Sequence, residues 1–167
     1  MKKRTFAILL LAAVVFIWGH SLIPIADSSD ESMSIMRIMQ WVLDHLHIPL
    51  TLTEHFVRKL AHFTEHAAAG AVLWLYFVPA GAFSGVLKSG GTEAFHGIIS
   101  IIKKPLLIGF FIGFADETIQ MFSGRGAAIA DVWIDFAGVC AGSLLIHLLR
   151  ILVNRVSLRR KQRAKGV

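Results

Sequence analysis

Long apolar runs separated by short polar stretches set the pattern of this chain. A bilayer's hydrocarbon core is about 30 Å thick and a helix rises about 1.5 Å per residue, so a span needs about 20 mostly apolar residues. Four segments qualify: residues 5–25, 62–83, 105–122 and 127–153. The expected fold is therefore all-α, a polytopic membrane protein of four transmembrane helices. Between the first and second runs, Ile35, Ile38, Met39, Val42 and Leu46 recur at helical spacing, and Ser28-Ser29-Asp30-Glu31 reads as a capping box before them. That predicts an amphipathic helix lying on the outer membrane surface or over the bundle mouth, with Trp41 at interfacial depth. Residues 94–102, after Ser89-Gly90-Gly91, predict a shorter one on the inner side.

Composition supports the membrane reading. The 167 residues are 55% hydrophobic and 17% charged, with a mean hydropathy of +0.64, against about 45–50% and 25% for soluble domains. A net charge of +6 would suit nucleic acid or an anionic membrane, and in a chain this apolar the bilayer is the expected partner, with no nucleic acid. The first run could be a signal peptide behind Lys2, Lys3 and Arg4, but Pro24 interrupts any small-x-small cleavage pattern ending at Ala26, which favours a retained helix. Of the 17 basic residues, 13 fall in the N-terminal flank, the second connection and the segment from Arg150 to Lys165. The positive-inside rule then places both termini in the cytoplasm. Residues 1–155 form the membrane domain, and 156–167 a basic cytoplasmic tail that contacts anionic lipid. Cys140 is the single cysteine and can form no internal disulfide.

Ionisable residues inside spans cost roughly 2.5–3.5 kcal/mol each on insertion scales and so ask for a purpose. Arg58, Lys59, His62, Glu65 and His66 open the second run; Asp116, Glu117 and Gln120 close the third; Arg125 follows; Asp131 and Asp135 open the fourth. In the orientation above, all reach the outer side. Asp116 lies about 9 Å in from Phe122, and Asp131 and Asp135 about 6 and 12 Å in from Ala127, so the groups share one depth. Four-residue spacings put each group on one helix face. A shared polar pocket keeps them off lipid. Its five acids outnumber Arg58, Lys59 and Arg125 by two, a deficit that a protonated group or a bound cation would offset. Gly109 with Gly113, and Gly138 with Gly142, are small-xxx-small pairs that permit close helix approach.

His62-Phe63-Thr64-Glu65-His66 fits the H-x-x-E-H pattern, in which two histidines one turn apart hold zinc and the glutamate is the base. Read literally, it predicts a membrane metal-dependent hydrolase with Asp131 or Asp135 as third ligand. The order of motifs points elsewhere. Arg58-Lys59-Leu60-Ala61-His62-Phe63-Thr64-Glu65-His66, then Asp116-Glu117-Thr118-Ile119-Gln120 with Gly124-Arg125, then Asp131-Val132-Trp133-Ile134-Asp135-Phe136-Ala137-Gly138, resemble the VanZ-like family. The resemblance covers roughly residues 5–155 and includes the serine-rich segment Ser28, Ser29, Ser32 and Ser34. Its specific part fixes eight residue types over 23 positions, from Asp116 to Gly138. Position 66 departs, with His where the family more often has Tyr.

This family comprises small bacterial membrane proteins named after a teicoplanin-resistance protein. The resemblance implies a cell-envelope role, with reduced glycopeptide susceptibility in some members, and carries over Lys59, His62, Glu65, Asp116, Glu117, Gln120, Arg125, Asp131, Asp135 and Gly138. The expectation is an outward polar pocket that binds a lipid-linked or peptidoglycan-related group, or the glycopeptide. Lys59 and Arg125 would meet an anion there. No cofactor is expected and no residue is assigned a catalytic role. Were a metal held, His62, His66 and Asp131 would be its ligands. Homo-oligomerisation is left open.

Overall fold

A computed structural model describes residues 3–23, 25–125 and 127–165, with the side chains of 25–28, 89 and 161–165 excluded. Lys2 and Pro24 lie outside the described residues, as do the side chains of Ser28 and of the tail from 161 onward. Six helices follow one another, with no strand among the described residues: α1 Lys3–Ser21, α2 Ile25–His45, α3 Glu54–Phe77, α4 Ala82–Ser89, α5 Gly91–Ser123 and α6 Ile129–Lys165. Three of them, α1, α5 and α6, are each long and apolar enough to cross a membrane, and α3 with α4 makes a fourth if the bent pair is one span. Leu11, Phe111 and Leu145 are exposed at 66%, 57% and 56%. In water each such side chain would forgo about 1.5–3 kcal/mol of burial, so a belt of them around the bundle calls for lipid.

The boundaries differ from the sequence expectation in several places. The second helix starts at Glu54, not 62, because Thr53 is extended (φ −113, ψ 150) and its hydroxyl accepts from the Phe56 N–H at 3.2 Å, capping the helix. It ends at Phe77, not 83. Proline disfavours helical backbone in the preceding residue, and Val78 is accordingly extended. Gly81, with φ of +83°, then turns the chain into α4, bent 68° from α3. The stretch 94–102 is no separate element. It is the start of α5, which continues through Pro105 for 33 residues, or about 50 Å. Likewise α6 continues without a break across residue 155 to Lys165. Ser28–Glu31 lie inside the first turns of α2 and so do not cap it, because that helix already starts at Ile25.

Glycine sets the tightest contact. A Cβ on Gly142 would lie 1.8 Å from the Ala67 carbonyl oxygen, one on Gly138 2.3 Å from that of Phe63, and one on Gly70 2.3 Å from that of Val139. Thus α3 and α6 meet backbone to backbone, as the small-xxx-small spacing predicts. Ser143 adds a hydrogen bond to the Gly70 carbonyl at 3.1 Å. Helix α1 completes the core by placing Ile17 against Ala69, Leu73 and Ile112, with Trp18 Nε1 donating to the Ile112 carbonyl at 3.3 Å. Helix α2 packs on α3 and leaves Ile38 and Trp41, with Leu46 just past its end, about 60% exposed. Gln40 ties it to the next connection by donating to the Leu50 carbonyl and accepting from the Leu52 N–H.

Candidate functional site

One end of the bundle, where α1 and α5 end and α3 and α6 begin, collects the polar residues. They form two levels. At the mouth, a cavity of about 120 Å³ is lined by His55, Arg58, Lys59, His62, Gln120, Arg125 and Asp131. Lys59 Nζ forms an ion pair with Asp131 Oδ1. Arg125 is only 3% exposed and donates through Nη1 to the His20 carbonyl at 2.5 Å. Burial lowers the affinity of this guanidinium for its proton, and Arg58 acts in the same sense, yet an arginine side chain stays cationic in proteins.

Below the mouth lie Asp116 and Asp135, both fully buried. Asp116 accepts from the Ser21 hydroxyl at 2.5 Å and from Gln120 Nε2 at 3.0 Å, and its Oδ2 is 3.5 Å from His62 Nδ1. Asp135 Oδ1 lies 3.3 Å from His66 Nδ1 and 3.7 Å from His62 Nδ1. His66 Nδ1 is also 3.0 Å from the His62 carbonyl. A carbonyl can only accept, so this nitrogen carries the proton and Nε2 of a neutral ring presents its lone pair. Glu117 accepts from the Ala128 N–H through Oε2 at 3.2 Å.

Ten of the eleven pocket residues named from sequence therefore converge at this end, in two levels joined by His62. Glu65 borders them from the α1 side of the same end, where its Oε1 pairs with His20 Nδ1 at 3.0 Å. The glutamate of the H-x-x-E-H pattern is thus engaged by His20. The metal set named from spacing shifts as well, since Asp131 is engaged by Lys59 while the ligand atoms of His62, His66 and Asp135 lie within 4.8 Å of one another.

A sequence model of the VanZ/LLP1 family matches residues 6–150. The chain belongs to the VanZ/LLP1 family. The matched stretch contains both levels of the site and every helix that supplies them, so in this VanZ/LLP1 member the polar cluster is part of the family region and not an addition to it. No curated protein and no solved structure matches the chain.

Three contributors escape the sequence reading. His20 and Ser21 stand at the end of the first span and act on residues 45 and 95 positions away. Their signal was a Trp18-Gly19-His20-Ser21 end that turns polar just where a span should finish. His55 belongs to the first turn of α3, hidden because the apolar run becomes continuous only later. At the other end of the bundle, Arg150, which near a span's end would be expected to reach toward solvent, instead turns inward and donates to the Val78 carbonyl at 2.6 Å. It thereby satisfies a group freed by the break in α3.

Proposed function

We propose that this VanZ/LLP1 protein is a four-span component of the bacterial cell envelope, with α3 and α4 forming one broken span and both termini cytoplasmic. In this reading the 120 Å³ cavity opens outward and takes an anionic group of a lipid-linked or peptidoglycan-related envelope component, or of a glycopeptide antibiotic. The observation that carries it is the lining: Arg58, Lys59 and Arg125 meet in one cavity, and Arg125 is held there almost out of solvent. Arginine presents a planar fork of donors suited to phosphate or carboxylate, and burial strengthens such contacts. Helix α2, with its apolar stripe exposed, would lie at the outer membrane surface. A contact of 3.6 Å between Glu31 and His20 supports its docking beside the mouth. The helical continuation of α6 carries the basic tail into the cytoplasm, where it meets anionic lipid.

The test is susceptibility. Expression in a glycopeptide-sensitive host raises the inhibitory concentration of teicoplanin, and Asp116→Ala, Arg125→Ala and Asp131→Ala each remove the effect at equal protein level. An intact protein, inserted in the membrane, that leaves susceptibility unchanged would sink this reading.

A further inference from the structure

We infer that the lower level of the cluster is a site for a divalent transition metal of the zinc type, held by His62, His66 and Asp135 with Asp116 and Glu117 adjoining. The donors come from α3, α5 and α6, and two overlapping sets converge: His62, His66 and Asp135, and His62, Asp116, Glu117 and Asp135, each with its ligand atoms within 4.8 Å of one another. Zinc bound at about 2.0–2.1 Å in a tetrahedron needs ligand atoms about 3.3 Å apart, so side-chain rotation brings either set into range.

The second observation is the hydrogen-bond account at this level. His66 Nε2, both carboxylate oxygens of Asp135, Glu117 Oε1 and His62 Nδ1 are buried and make no hydrogen bond. His66 and Asp135 are themselves fully buried. His62 Nδ1 and Asp135 Oδ1 at least stand in loose ion pairs, but His66 Nε2, Asp135 Oδ2 and Glu117 Oε1 have neither a hydrogen bond nor an ion pair, and since buried polar atoms are almost always satisfied, three such atoms at one place point to an absent common partner. Gly113 lets α5 press close to this level: a Cβ there would lie 2.9 Å from Asp135 Cβ, 3.5 Å from Asp135 Oδ2 and 3.6 Å from His66 Nε2, so a larger residue would push against both ligands.

Chemistry selects the metal class. Two imidazoles with carboxylates suit zinc and its first-row neighbours, whereas magnesium and calcium prefer oxygen-only shells. Charge points the same way. Asp116, Glu117 and Asp135 bring three carboxyl groups to one level below the mouth, beside His62, and their charge would balance a divalent cation. The proton on His66 Nδ1, directed at the His62 carbonyl, leaves Nε2 ready to ligate. This inference stands apart from anion binding at the mouth, because it concerns deeper residues and needs no envelope ligand.

The experiment uses the untagged full chain in detergent, with the exposed His45, His47, His55 and His96 changed to Ala so that exposed histidines cannot contribute. After stripping with chelator, zinc chloride is added, the protein is desalted, and metal is measured by mass spectrometry beside a thermal melt. The expected result is about one zinc per chain and a zinc-dependent rise in Tm that magnesium does not reproduce. Asp135→Asn and His66→Ala each cut retained zinc to about a tenth or less. Should those variants fail to fold, the melt of the parent decides alone. Zinc at background in the folded parent, no rise in Tm, or full zinc in folded Asp135→Asn would each overturn the site.

Discussion

Gly142→Ala adds one methyl group at the closest point between α3 and α6. Its Cβ would start 1.8 Å from the Ala67 carbonyl oxygen, 2.6 Å from the carbonyl carbon and 3.0 Å from Cα, all backbone atoms that no rotamer change can move. Restoring contact at 3.4 Å requires the helices to part locally by about 1.6 Å, a repacking that typically costs 1–3 kcal/mol. Alanine returns about 0.5–1 kcal/mol through its better helix propensity, so the net loss should be about 1–2 kcal/mol, or roughly five- to thirtyfold in the unfolding equilibrium. Gly19→Ala is the matched control: Gly19 also sits within a helix, but a Cβ there meets nothing within 4 Å, so only the propensity gain applies. Reversible unfolding in mixed micelles, followed by helicity, gives both numbers. If Gly142→Ala proves as stable as Gly19→Ala, the backbone-to-backbone contact is not what joins these helices.

Two further outcomes follow from single hydrogen bonds. Ser21→Ala removes the 2.5 Å bond to Asp116 from a side chain only 2% exposed, and should cost about 1.5–3 kcal/mol, whereas Ser34→Ala, on the exposed face of α2, should stay within about 0.5 kcal/mol; equal losses in the same unfolding assay would remove Asp116 from the stabilising network. Arg150→Ala frees the Val78 carbonyl at the bend and should speed amide hydrogen exchange at residues 80–82 by about tenfold, with the rest of α3 unchanged; unaltered exchange would mean that the bend is held by Pro79 and Gly81 alone.

Run length and charge spacing were enough to find the apolar segments and the depth at which Asp116, Asp131 and Asp135 meet, because both depend on helix rise and period, which are local. The interruption at Val78-Pro79-Ala80-Gly81 was also written locally, but a hydropathy window passes over it, since valine, proline, alanine and glycine are not polar. Thr53 was overlooked for a related reason: the helix starts at its cap, whereas the window responds only where apolar residues become continuous. The fate of Glu65 was not legible at all. At 100° per residue it sits 60° from His62 and 100° from His66, which turns it to a flank, and only the position of α1 decides that His20 waits there. His20 and Ser21 find their partners across most of the chain, and no periodicity within one helix encodes such a pairing.

The contact between α3 and α6 also governs access. With Gly70, Gly138 and Gly142 pressing carbonyl against Cα along that boundary, no acyl chain can slip in from the bilayer on this side, and the wall is shut over about two helical turns. From the mouth cavity, the way to His66 and Asp135 runs past His62, which lines that cavity beside Arg58, Lys59 and Arg125. The mouth thus gathers three cations and one aspartate while the level below gathers Asp116, Glu117 and Asp135, so along this way the balance of charge reverses with depth.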